Sequence, residues 1–179
     1  MMKKICLVLL LITFISMSVL PAFADTDKFD DELIYSSETK TTKNLFVKIT
    51  RPDGDESTFK KTYVLCGVSL KDEAFSDLVV KLLVYDEESD SYKEYKNADG
   101  EDTWGLGKYG IFIKEMALPN KVENKIRLVI YNDSEKEKLV LGKNLQVNNF
   151  TITILDEGIK EKITNGISKI SQLLKGIFK

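Results

Sequence analysis

The chain has 179 residues, with 26 basic and 28 acidic side chains and no histidine. The missing imidazole excludes a Ser-His-Asp triad and a histidine-ligated metal, and the slight acidic excess gives no basic footprint for nucleic acid. The length suits one domain with a core of its own.

Residues 1–24 open with Lys3 and Lys4, continue through an uncharged run from Ile5 to Leu20, and end in Pro21-Ala22-Phe23-Ala24. This order predicts a secretory signal peptide cut after Ala24, with a retained membrane anchor as the alternative. Removal would take Cys6 and leave Cys66 alone, so no internal disulfide is expected. In TYVLCGV, Cys66 reads as a small buried hydrophobe. Residues 25–44 are polar and read as a flexible leader, with a short edge strand at Leu33–Tyr35 as the alternative.

From Leu45 apolar alternation begins. LFVKITR, Thr62–Val68, Leu78–Tyr85, YKEY from Tyr92, Ile111–Leu118, Lys125–Tyr131, a smaller pair at Lys138–Leu141 and Leu145–Val147, and Phe150–Leu155 all read as strands. Turn clusters separate them: Pro52–Asp55, Asp86–Ser91, Asn97–Asp102 and PNKVEN. LVVKLLVYDEE admits a helix, but its valines and neighbouring strands favour a sheet. The pattern predicts an all-β, antiparallel β-sandwich of about seven strands over 45–156.

From Glu157 the rhythm becomes helical. With Ile159 at zero on a wheel, Ile163, Ile167, Ile170, Leu173, Leu174, Ile177 and Phe178 fall within an arc of about 140°. Lys162, Lys169, Lys175 and Lys179 lie outside the arc, and Lys160 shares the direction of Phe178. The segment 157–179 has five lysines and two glutamates, whereas 25–156 has 19 basic and 26 acidic residues. Burying eight such side chains is worth at most about 12–24 kcal/mol, and ordering some twenty residues costs about as much. This amphipathic tail therefore needs a surface: the protein's own body, a partner, or an anionic membrane, with Lys169 and Lys175 as candidate basic contacts. It is too short and charged to span a bilayer.

Other chemistry is sparse. No GxSxG, P-loop, dinucleotide fingerprint, HExxH or CxxC occurs. Asn97–Gly100 resembles part of an EF-hand loop, but Tyr95 and Leu106 stand where the first and last ligands belong. The acids at 86–90 and 99–102 read as solvated turns, with a loose calcium site as the functional alternative. Trp104, the only tryptophan, is either a core anchor or an exposed aromatic platform. Two sequons, at Asn132 and Asn149, matter only in a glycosylating host, and the arginine-poor composition points to a bacterium.

The segments Tyr63–Val68, Gly110-Ile111-Phe112, Leu118 and Glu123–Val129 together resemble the bacterial immunoglobulin-like modules of Gram-positive secreted and surface proteins, including the glucodextranase-B-like group. That family commonly has glycine where Glu123 stands. The resemblance implies an immunoglobulin-like fold and a structural or interaction module that is not catalytic, and the residues themselves give no expectation of a metal or cofactor. Together these readings predict a secreted or envelope-associated protein whose partner is another protein, the cell wall or an anionic membrane.

Overall fold

A computed structural model describes residues 31–70 and 76–177, with side chains described for 32–70 and 76–171. The predicted signal peptide lies outside these residues. Among them the order is helix α1 (Asp31–Tyr35), strands β1 (Val47–Arg51), β2 (Glu56–Thr58), β3 (Thr62–Ser69), β4 (Leu78–Asp86), β5 (Ser91–Glu94), β6 (Thr103–Gly105), β7 (Ile111–Ala117), β8 (Glu123–Asn132) and β9 (Leu145–Ile154), and helix α2 (Glu157–Ile177). The strands form a three-stranded sheet, β1-β3-β7, and a six-stranded sheet, β2-β9-β8-β4-β5, with β6 also on β4. All pairings are antiparallel except that of β2 with β9.

One apolar cluster joins the two sheets. It takes Val47 and Ile49 from β1, Tyr63 and Leu65 from β3, and Phe112 and Met116 from β7. Facing them are alternate residues of β4, β8 and β9, including Val80, Leu128 and Ile152. Alternation explains the division: residues two apart on a strand share a face. Gly67 continues the inward row of β3, and a Cβ there would collide with the Phe112 ring and approach Val47 Cγ1 at 2.8 Å. Gly110, with φ +69°, supplies the left-handed turn that opens β7. Asn124 closes the preceding PNKVEN turn: its Oδ1 accepts from the Asn120 amide at 2.8 Å.

Three sequence expectations change. β9 is one ten-residue strand, so Leu145–Val147 and Phe150–Leu155 are not separate, and Lys138–Leu141 contributes only an isolated bridge. Cys66 is half-buried, not in the core, because Tyr63, Leu65 and Gly67 take the inward positions of β3. From Asp31 onward, the stretch expected to be a flexible leader packs on the large sheet. Its Leu33–Tyr35 segment is helical, and Ile34 is fully buried with Leu83, Val129, Leu145 and Val147.

One buried side chain holds that stretch, and a second anchors the residues that follow it. Arg127, 0% exposed, donates to the carbonyls of Ile34 (2.7 Å), Ser36 (2.8 Å) and Thr39 (3.1 Å) and to Asn149 Oδ1 (2.7 Å). Its guanidinium also stacks 3.7 Å from the centre of the Tyr92 ring. Gln146 Oε1 accepts from the amides of Leu45, Phe46 and Val47 at 2.9–3.1 Å, tying the start of β1 to β9.

Candidate functional site

Asp156 stands just before the first residue of helix α2 and caps it: its Oδ1 accepts the Gly158 amide at 2.6 Å, as an N-cap does. The i, i+3, i+4 spacing puts Ile159, Ile163, Ile167 and Ile170 on one face, and they are 42%, 49%, 63% and 59% exposed. These four therefore do not pack on the body. Lys162 and Lys169 lie about 60° and 80° to one side of Ile159, and Lys160 about 100° to the other. Lysines there can lie along apolar surface while their ammonium groups stay in a polar layer. The side chains of Leu173, Leu174, Lys175, Ile177 and Phe178 lie outside the described residues. No described helix is long and apolar enough to cross a membrane.

The outer face of the three-stranded sheet adjoins this helix. Lys160 Nζ lies 5.9 Å from the Phe59 ring centre, and Lys160, Lys60, Arg51 and Val64 line one shallow depression. The strand register gives two rows across the sheet: Lys48–Val68–Ile111 and Arg51–Cys66–Ile113. Ile111 and Ile113 are exposed, as are Leu70 and Tyr109 at the adjoining end. Arg51, over the Tyr63 ring, and the exposed Lys48 border this patch. The β7 edge is engaged at two points by main-chain bonds, Gly107 N to Ile111 O (3.0 Å) and Ala98 N to Glu115 O (2.7 Å). The open feature is thus the face more than the edge. This patch was missed in the sequence, although the alternating Ile111 and Ile113 of IFIKEMAL carried its signal.

The other candidates resolve differently. Trp104 is not an exposed platform: it is 6% exposed and packs in the core with its ring centre 5.8 Å from that of Phe112. The acidic turns are engaged by lysines. Lys114 bonds Asp99 at 3.0 Å and Glu101 at 2.6 Å, and Lys93 pairs with Asp86. The Lys114 and Lys93 contacts hold the Glu101 and Asp86 carboxyls below their ordinary range. Among the described residues, no three Cys, Asp or Glu side chains are placed to share a metal ion. A more closed polar group lies beside α1, where Lys81 pairs with Glu94 and donates to Tyr35 Oη at 2.9 Å. Burial opposes the Lys81 charge, yet its bonds to Glu94 and Tyr35 prevail and raise its pKa. This group ties α1 to β4 and β5.

Searches among protein-family models, curated proteins and solved structures find no match to the chain.

Proposed function

We propose that the chain is an exported, non-catalytic module of the immunoglobulin-like kind that attaches to the cell envelope through helix α2. The observation that carries this reading is the row of exposed isoleucines on a capped helix next to a body whose own core is closed. Leaving so much apolar surface in water is unfavourable by about 25 cal/mol per Å², and covering that surface is what an attachment element does. The immunoglobulin-like part of the reading draws support from two antiparallel sheets on a common core. It draws support also from the roles of the family-like residues: Gly67 beneath Phe112, Gly110 at the opening of β7, and Asn124 closing its turn.

The test is fractionation of cells expressing the whole chain, beside a variant carrying Ile163→Asp and Ile167→Asp. Both positions are exposed, so the variant should keep the wild-type melting temperature. The wild type is expected in the envelope fraction and the variant in the soluble fraction. Equal envelope retention of a folded variant would refute the reading, and mass spectrometry of the purified chain tests cleavage after Ala24.

A further inference from the structure

Resting on that attachment reading, we infer that the occupant is an anionic bilayer surface, and that it is met by a whole side of the molecule: helix α2 together with the outer face of the three-stranded sheet.

Three observations converge. First, the two apolar surfaces adjoin, since Lys160 of the first helical turn shares a depression with Val64 of β3. Second, the cations rim both. Lys160, Lys162 and Lys169 flank the helical face, while Lys48 and Arg51 end the two rows that run to Ile111 and Ile113. Glu115, opposite Val64 in the register, is the one carboxylate on the outward positions of β1, β3 and β7. Third, the acids of the β4–β5 turn, Asp86 to Asp90, belong to the other sheet, and Asp99 and Glu101 of the β5–β6 connection, which reaches the β7 edge, are engaged there by Lys114. A protein groove would need acids to meet these cations, and the same face of a second copy offers them only Glu115. Lipid headgroups supply negative charge over an apolar layer, which matches lysine-rimmed isoleucines. The helix lies in the interface plane, and the sheet face adds cations and the exposed Tyr109 at its margin.

The probe is co-sedimentation with vesicles of phosphatidylcholine alone or with phosphatidylglycerol at one third. The chain is used in the form cells leave after processing, beside the Ile163→Asp, Ile167→Asp variant and a second variant, Lys48→Gln with Ile113→Gln. Wild type should bind the anionic vesicles and weaken as salt rises. Removing one surface cation costs about fivefold near such a membrane, so the sheet variant should bind at least fivefold more weakly at an unchanged melting temperature. The helix variant should lose binding to the point of no pelleting. Wild-type binding by a folded sheet variant overturns the inference and leaves the attachment reading standing. The same separation follows if envelope retention needs α2 but the vesicles bind nothing. A concentration-dependent dimer abolished by Ile113→Gln would also overturn it, since a second copy would then cover the face. Failure of both the vesicle and fractionation experiments removes the two together.

Discussion

Replacing Arg127 with methionine tests the claim that residues 34–42 are part of the folded body. Arg127 makes three bonds to main-chain carbonyls and one to Asn149. At about 1.5–3 kcal/mol for each bond to a charged group, the simple sum is about 6–12 kcal/mol. That sum is too large, because burying the guanidinium without a carboxylate costs several kcal/mol in desolvation. The same burial pushes the Arg127 pKa down. Methionine fills the volume and leaves the acceptors unmet. If the segment stayed docked, the buried carbonyl of Ile34 and Oδ1 of Asn149 would each cost about 1–3 kcal/mol. If it lifted away, the acceptors would regain water, but burial of Ile34 would be lost at about 1.5–3 kcal/mol. The main-chain bond from Thr42 to Val147, 2.7 Å long, would be lost too, at about 0.5–1.5 kcal/mol. Staying docked then costs about 2–6 kcal/mol and lifting about 2–4.5 kcal/mol, so lifting is the cheaper route. Urea unfolding should show this loss, and amide exchange should show Thr42 changing from protected to fast. Arg127→Lys should recover less than half, since one ammonium cannot reproduce the planar fork across three carbonyls. A loss under about 1 kcal/mol with Thr42 still protected would refute the reasoning.

Gly67→Ala should destabilise the fold by about 1–3 kcal/mol through overpacking against Phe112 and Val47, and Phe112→Leu in the same chain should restore part of it in urea melts. Trp104→Ala should cost about 3–5 kcal/mol. Trp104→Phe should cost far less, because it removes a buried indole N–H that has no acceptor among the described protein groups; equal losses in thermal melts would contradict this. The Glu56 carboxyl is held low first by the Tyr63 hydroxyl, and that of Glu94 first by Lys81. Depressed carboxyls stabilise the fold above the unfolded value of about 4.3, and that stability is lost as pH falls through the lower folded values. A Glu56→Gln, Glu94→Gln variant should lose less stability than wild type between pH 6 and pH 3, and parallel pH profiles would count against the two contacts.

Periodicity made much of the fold legible. Alternation in TYVLCGV and FTITIL marked strands, and the i, i+3, i+4 isoleucines marked α2. Legibility failed where burial has no period. Asn148 and Asn149 interrupt the apolar rhythm like a turn, yet Asn148 Oδ1 accepts from Gln146 Nε2 at 2.7 Å and Asn149 binds Arg127, so β9 runs through them. Ile34 stands among acids and serines, and its burial depends on an arginine 93 positions away. Arg127 itself looks like a solvated residue within an apolar strand. Only the fold shows that it faces a segment offering carbonyls instead of water.

The two sheets differ in what covers their outer faces, and that difference gives the molecule a direction. The strands β4, β8 and β9 are apolar on both faces, and the chain closes the outer one with residues 33–35, 139 and 141. One buried polar side chain, Arg127, secures that cover through the carbonyls of Ile34, Ser36 and Thr39. On the other sheet, Ile111 and Ile113 stay open, as do Leu70 and Tyr109 at its end. The open sheet is the one that borders the lysine-flanked helix. Cover on one side and exposure beside the cations on the other leave a single side of the body suited to a negatively charged surface. Altering Lys48 and Ile113 while leaving Arg127 intact therefore separates attachment from folding.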